Sequence, residues 1–175
     1  VNGKYQGACF PFLEGFSSGV LRMAWGSDHS LFVGMTSRGW ASTGPALYGL
    51  QRVNFKGAMP FEIKAMRAQS NGFELEFTMP VNKKQAADAS LFRVTGFTYS
   101  YHKKYGSPII NQQPCQVTKS EVSDDGRRVR IYVSGLREGY IHELNIAGLR
   151  SQSASALLHN VGYYSLNSIP AGSGP

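Results

Sequence analysis

Apolar and polar residues alternate along several short stretches of the chain. In residues 73–77 apolar side chains alternate with glutamates, and in residues 128–133 they alternate with arginines and a tyrosine. Successive side chains of a β-strand point to opposite faces, so this period of two predicts strands with one buried face and one solvated face. Half-buried strands of this kind are typical of antiparallel sheets.

Pairs of these strands are separated by short segments that carry Asp or Asn beside Gly or Ser. The pattern occurs in residues 21–35, 61–77 and 117–133. Such residues tolerate the backbone angles of a tight turn, so each unit predicts a β-hairpin. Further strands are predicted at 91–101, 140–146 and 162–166. Helix is limited to one turn within residues 82–89, a short stretch next to Pro80.

The alternating pattern is interrupted once by a connector. Residues 56–60 read Lys-Gly-Ala-Met-Pro and predict a domain boundary, which divides the chain into segments 1–57 and 58–167. Residues 168–175 are rich in Gly, Ser and Pro and are predicted to form a disordered tail.

The composition is that of a globular protein with excess positive charge. Among 175 residues, 42% are hydrophobic and the formal net charge is +7. The lysines and arginines are dispersed, and the doublets at 83–84, 103–104 and 127–128 are each close to a predicted turn. This favours a solvated surface over a nucleic-acid-binding patch. The sequence has no apolar run long enough to predict a membrane-spanning helix. For Cys9 and Cys115, a disulfide and two free thiols both fit the spacing.

Two stretches resemble parts of large secreted bacterial proteins. Residues 6–55 resemble the closing blades of secreted β-propellers of the glucose or sorbosone dehydrogenase type, and within them residues 26–34, Gly-Ser-Asp-His-Ser-Leu-Phe-Val-Gly, look like the inner-strand hairpin of a blade. Residues 59–167 are similar to the C-terminal domain that follows such propellers, and within them residues 73–82, Phe-Glu-Leu-Glu-Phe-Thr-Met-Pro-Val-Asn, resemble part of an immunoglobulin-like domain. These are structural motifs, which identify a scaffold and no chemistry.

The resemblance implies a fold, a location and a partner. The expected fold is all-β, an Ig-like antiparallel β-sandwich (58–167) preceded by propeller-blade-like β-hairpins (1–57). The expected location is secreted or periplasmic, and the expected partner is the rest of a β-propeller, in the same protein or another chain. In propellers of this type a quinone or calcium site needs a complete ring, so no cofactor is expected for this chain alone.

Motifs for catalysis are weak. Residues 15–19, Gly-Phe-Ser-Ser-Gly, match the hydrolase motif G-x-S-x-G, but that motif requires a helix after the serine, and a strand pattern follows here. The four histidines are far apart in sequence, and no calcium-binding loop of the D-x-D-x-D type occurs. The sequence therefore predicts no self-sufficient catalytic site and no metal site.

Aromatic residues beside cations are the first set of candidates for ligand binding. Tyr101, His102 and Tyr105 follow a predicted strand and stand beside two lysines, so they can stack on sugar rings and hold acidic groups. Phe97 and Tyr99 occupy the same predicted strand and are expected to belong to the core. Whether Tyr101 and Tyr105 bind a ligand or pack inside stays open.

Arg38 and Trp40 are the second set. They leave a predicted strand for a Gly/Ser loop, which is where propellers place ligand-contacting side chains. Arg38 can hold a carboxylate through two hydrogen bonds, or it can pack on Trp40 and close the loop.

Three functions fit these observations. The first is a non-catalytic accessory or binding region of a secreted protein that binds carbohydrate. The second is the C-terminal fragment of a quinone-dependent sugar dehydrogenase-like propeller enzyme. The third is a structural module that interacts with another protein through open strand edges.

Overall fold

The computed structural model describes residues 1–38 and 44–172, and it confirms the all-β fold with antiparallel sheets. The strands are β1 (Gly7–Cys9), β2 (Val20–Trp25), β3 (Leu31–Thr36), β4 (Tyr48–Val53), β5 (Ile63–Gln69), β6 (Gly72–Phe77), β7 (Phe92–Tyr99), β8 (Ile109–Val122), β9 (Arg128–Ser134), β10 (Tyr140–Ile146) and β11 (Val161–Leu166). The helix α1 spans Lys83–Ala86, and a 3₁₀ turn spans Ala89–Leu91. The predicted single helical turn is thus confirmed, and the Asn82 side chain caps it by accepting a hydrogen bond from Gln85 N.

The chain divides into two compact units. The larger, here called the sandwich unit, comprises Val1–Pro11 and Pro60–Pro175, and the smaller, here called the blade unit, comprises Phe12–Met59. The end of the blade unit lies close to the boundary predicted after residue 57. The first eleven residues differ from the predicted segment 1–57, because β1 pairs with β11 and thereby joins the sandwich unit.

The sandwich unit is built around one long strand. Its strands follow the order β1-β11-β10-β7-β8-β9-β6-β5, all antiparallel. The first half of β8, through Cys115, pairs with β7, and the second half, from Gln116, pairs with β9. Because β8 serves both halves, the sheet folds over itself and the two halves enclose one core.

The core of the sandwich unit contains side chains from both halves. The alternation read from the sequence is confirmed at its centre, since Phe73, Leu75, Val129 and Ile131 each have no exposed surface. Burial of each such side chain stabilises the fold by about 1.5–3 kcal/mol relative to exposure. The alternating glutamates of β6 lie on the outside, where Glu76 pairs with lysine and arginine of β5.

One glycine fixes the hairpin between β5 and β6. A Cβ atom added at Gly72 would lie 1.9 Å from the backbone oxygen of Ile131. Only glycine allows β6 and β9 to approach this closely. The Asn-Gly turn read from the sequence therefore has a packing role as well as a conformational one.

The blade unit is a three-stranded sheet in the order β2-β3-β4. Its buried apolar residues are Leu31, Val33 and Met35 of β3. The β2–β3 turn is held by Asp28, which accepts hydrogen bonds from Ser30 and pairs with Arg52 of β4. The Ser30 hydrogen bonds, with a smaller contribution from Arg52, lower the pKa of the Asp28 carboxyl.

Three expectations about single segments need correction. Tyr99 is 48% exposed rather than core. The strand predicted at 91–101 ends at Tyr99, so Tyr101 lies in the following loop. In the predicted tail, Ser168 is buried and Ile169 N donates to Glu138 Oε1, so hydrogen bonding holds its beginning in place. Residues 173–175 lie outside the described part of the chain.

Candidate functional site

A groove of about 640 Å³ lies on the outer face of the β1-β11-β10-β7 half of the sandwich unit. We call it the tyrosine groove. It is lined by Tyr5, Gln6, Gly7, Ala8, Cys9, Phe97, Tyr99, Ile141, Tyr163 and Ser165. Nine of these ten residues have aromatic, aliphatic or small side chains. A mainly apolar lining is common in binding sites for small organic ligands.

Strand register explains why a groove forms here. Gly7, Ser165, Ile141 and Phe97 lie opposite one another in one row across the four strands. Directly paired residues share one face of a sheet, so these four residues lie side by side. Because Gly7 has no side chain and Ser165 has a short one, the β1–β11 part of the row forms a depression.

Larger side chains border this low row. In the row on one side Cys9 pairs with Tyr163. On the other side, Asn167 Nδ2 donates to the backbone oxygen of Tyr5 at 2.6 Å, which fixes Tyr5 beside the strand ends. The groove is therefore a gap of small residues between tyrosines.

Three tyrosine side chains of the groove are available to a ligand. Tyr5 is 97% exposed, Tyr99 48% and Tyr163 38%. Phe97 is buried and meets the Tyr99 ring edge-on at a centroid distance of 5.6 Å, which supports that ring from below.

Burial raises the pKa of the Tyr163 hydroxyl, and Glu143, Tyr99 and Cys9 raise it further. A carboxylate therefore lies close to one end of the groove.

A second depression adjoins the first through Tyr5. It has a volume of about 590 Å³ and is lined by Gly3, Lys4, Tyr5, Glu138, Gly139 and Asn167. Lys4 Nζ donates to the backbone oxygen of Asn167 at 3.1 Å, and Gln6 Oε1 accepts from Ser168 N at 2.8 Å. These bonds tie the N-terminal segment to the end of β11, so that the two depressions share one wall.

Tyr101, His102 and Tyr105, predicted from the sequence, lie in the loop between β7 and β8. Tyr101 and Tyr105 are fully exposed, so neither packs inside. Ser100 N donates to the oxygen of Pro108 and closes the base of the loop, and His102 Nδ1 accepts from Lys104 N. The loop starts directly after Tyr99 and thus leaves from one end of the tyrosine groove, although its residues do not line the groove.

Arg38 and Trp40 belong to the blade unit. Arg38 is exposed just beyond β3, and its backbone N–H donates to Thr36 Oγ1. Trp40 lies outside the described residues, so the predicted pair stays a prediction.

The G-x-S-x-G segment is a loop before β2, as predicted. Ser17 Oγ contacts Met35 Sδ at 3.7 Å, and its backbone N–H donates to Gln51 Oε1. A nucleophilic serine needs a base within hydrogen-bonding reach, and a thioether is none. The loop is followed by a strand, so the segment lacks the helix N-terminus that the hydrolase motif uses.

The cysteines form no disulfide in the described part of the chain. Cys9 is exposed in the tyrosine groove, Cys115 is buried, and both are free thiols. His142, expected to be half-buried, has no exposed surface. Across residues 1–38 and 44–172, no three His, Cys, Asp or Glu side chains come together in a way that could hold a metal ion. No helix in the described ranges is long and apolar enough to span a membrane.

Sequence reasoning missed Tyr5, Tyr163 and the small residues between them. These groups come together because β1 pairs with β11, across most of the chain length. The available signal was the alternation of exposed Tyr163 with buried Tyr164 in β11, which is too short to reveal a partner strand.

Comparisons with known proteins give limited guidance. No protein-family model and no curated protein matches the chain. Among solved structures, it is similar to the crystal structure of the S-layer protein rSbsC(31-844), with 18% identity and a TM-score of 0.48, over 65% of this chain and 14% of that one. It is also similar to the N-terminal part of the bacterial S-layer protein SbsC, with 18% identity and a TM-score of 0.49, over 66% of this chain and 26% of that one. The chain thus spans about a quarter or less of these proteins, and a likeness of this size carries no functional conclusion.

Proposed function

We propose that the chain is a non-catalytic accessory region of a secreted protein and that its sandwich unit binds carbohydrate in the tyrosine groove. The observation that carries this proposal is the set of three exposed tyrosine rings around a floor of small and apolar residues. The proposed secreted location rests on the resemblance of residues 26–34 and 73–82 to segments of secreted proteins.

Carbohydrate suits this arrangement on physical grounds. A pyranose ring has an apolar C–H face that packs on an aromatic ring, and a rim of hydroxyl groups that require hydrogen bonds. Tyrosine supplies both an apolar ring and a polar tip, at a low cost in side-chain entropy. Ser165 and the tyrosine hydroxyls are polar partners along the groove.

Isothermal titration with a panel of neutral and acidic oligosaccharides tests this function. Tyr99→Ala and Tyr163→Ala should each weaken binding by about 2- to 12-fold, the range expected for loss of one aromatic contact. Tyr132→Ala is the matched control, because Tyr132 lies on the other half of the sandwich beside Glu121. Tyr101→Ala and Tyr105→Ala measure the contribution of the loop. Absence of heat with every glycan in the panel, at high protein concentration, would refute the function.

A second function is favoured by the blade unit. Trp25 and Met23, opposite the buried Leu31 and Val33, are 73% and 64% exposed. On the other face of the same sheet, Leu50 is 72% exposed. A three-stranded sheet with exposed apolar residues on both faces has little core of its own.

We therefore propose, as the alternative, that the blade unit packs between further β-sheets of a propeller, in the same protein or another chain. Hydrogen exchange tests this: β2 and β4 amides should exchange rapidly in this chain and slowly in a longer form of the protein that includes the preceding sequence. Trp25→Ser and Leu50→Ser should destabilise the longer form. Leu158→Ser should not, because Leu158 is a 61% exposed residue of the sandwich unit. Equal exchange in both forms would contradict the packing.

The enzyme version of this alternative needs residues from outside the chain. The described side chains provide no metal cluster, so a quinone and calcium site would have to be formed elsewhere in the propeller. The longer protein should then reduce a redox dye when quinone, calcium and an aldose are supplied. If the full-length protein binds neither quinone nor calcium, the dehydrogenase hypothesis is refuted. The chain would then be a structural module that interacts with other proteins.

A further inference from the structure

The charges around the tyrosine groove are unevenly distributed along its length. Lys4 stands beside Tyr5, and Lys103 and Lys104 follow Tyr99 in the β7–β8 loop. We call this the basic end of the groove. At the other end Glu143 lies directly opposite Tyr163 in the register of β10 and β11. The groove therefore has a positive end and a negative end.

The lysines at the basic end are available to a ligand. Within the described ranges neither Lys103 nor Lys104 forms an ion pair, and both are exposed. Lys4 Nζ donates to one backbone oxygen, that of Asn167, which leaves its charge uncompensated there. Glu138 lines the second depression, but one of its carboxylate oxygens accepts from Ile169 N. Lys4 therefore has one carboxylate beside it in the second depression, and that carboxylate is partly engaged. The two loop lysines have no ion-pair partner in the described ranges.

This distribution selects among carbohydrates. Unpaired charges act over about 8–10 Å at physiological salt, so the lysines attract a negative group at the basic end while Glu143 repels one at the opposite end. Tyrosine stacking alone does not separate neutral from acidic sugars. The charges supply that discrimination and also fix the direction in which a ligand lies.

We propose that the tyrosine groove recognises acidic glycans, with a uronate or sulfate group of the ligand at the basic end and an uncharged ring near Tyr163. This inference rests on the proposed carbohydrate-binding function. It adds the ligand class, the orientation, and roles for Lys103 and Lys104 as specificity residues.

The test uses pairs of ligands that differ only in charge. Oligouronates of galacturonate, glucuronate and mannuronate are each compared with their methyl esters by titration at low and high salt. At least one acid should bind more tightly than its ester, and the difference should shrink as salt rises.

Three variants assign the effect to residues. The double variant Lys103→Gln, Lys104→Gln should weaken acid binding by about 2- to 30-fold and leave ester binding unchanged, as expected for two exposed charge contacts. Glu143→Gln should tighten acid binding. Arg93→Gln is the matched control, because it removes one positive charge from β7 beyond the negative end, and it should not weaken acid binding.

The outcomes separate the two proposals. Equal or tighter binding of the esters overturns the acidic preference and leaves carbohydrate binding in place. An acid preference that survives the double lysine variant overturns the assigned orientation. Failure of every acid, ester and neutral glycan to bind removes the carbohydrate function itself.

Discussion

His142 gives the sandwich unit a pH dependence whose size follows from its position. The imidazole has no exposed surface, and its ring lies 6.0 Å from that of Phe73. Its Nε2 accepts a hydrogen bond from Arg137 N at 3.3 Å. Burial lowers the pKa of His142 from 6.5 to about 4, the Arg137 charge adds to the effect, and a backbone hydrogen bond at Tyr140 opposes it. The folded protein therefore holds this histidine neutral.

The direction and size of the effect follow from linkage. Between pH 6.5 and about pH 4 the unfolded chain binds a proton at this site and the folded chain does not, so acid favours unfolding. The contribution to stability is fully present above pH 6.5 and is lost as the pH falls to about 4. The total is about 3 kcal/mol, of which about 2 kcal/mol is lost by about pH 5. Carboxyl groups with lowered pKa values, such as Glu76, contribute at more acidic pH.

Two measurements test this prediction. Urea unfolding, followed by circular dichroism at about pH 7.5, 6 and 5, gives the free energy of unfolding as a function of pH. The His142→Leu variant removes the titrating group and should lose about 2 kcal/mol less than the parent protein over this interval, whatever its absolute stability. In the folded protein, the NMR signal of the His142 ring should stay that of neutral imidazole down to about pH 5. A ring that titrates near its ordinary pKa of 6.5, or an unchanged slope in the variant, would show that the buried position is wrong.

Two further predictions concern backbone packing and thiol access. Gly72→Ala should lower the free energy of unfolding by about 3 kcal/mol or more, because the added methyl group would overlap the backbone oxygen of Ile131, and thermal unfolding would show it. Gly148→Ala, at a positive φ of 69° with no atom close to the added carbon, should cost only about 1 kcal/mol; equal losses would contradict the steric argument. Under native conditions an alkylating reagent should modify exposed Cys9 and leave buried Cys115 unmodified until denaturant is added, which mass spectrometry resolves. Burial also raises the pKa of the Cys115 thiol, so rapid native labelling of Cys115 would refute its placement.

The strands of the sandwich unit were largely predictable because their information is local. In β6 and β9 the alternation of large apolar and charged residues specifies which face is buried, and the structure confirms it at Leu75 and Ile131. The turn residues between successive strands also specify the local backbone conformation over only a few positions. The single helical turn was predictable for the same reason, because the helix-forming stretch beside Pro80 is short and Asn82 caps it.

The binding groove could not be predicted in the same way, because it depends on pairing between distant strands. Tyr5 and Tyr163 share the groove only through the register of β1 on β11. The sequence predicts a core position for Tyr99, because nothing in it indicates the register shift between Gly96 and Thr98. His142 alternates with Glu143 and Ile141 in a pattern that suggests a half-buried strand. Its complete burial depends on packing against Gly96 and Phe73, which are distant in sequence. Composition predicts the excess positive charge but does not show which charged residues lie near the groove.

The pairing of β1 with β11 also changes how the two units are related in the chain. The polypeptide enters the sandwich unit through β1, leaves it for residues 12–59, and returns at β5, so the blade unit is an insertion within a loop of its host. Residues of β1 and β5 lie close together, so the two attachment points can be joined by a short linker. A chain with residues 12–59 replaced by such a linker should therefore still fold as a sandwich and keep its groove. The blade could also be transplanted as one piece into a loop of another protein, because both of its ends start from neighbouring positions.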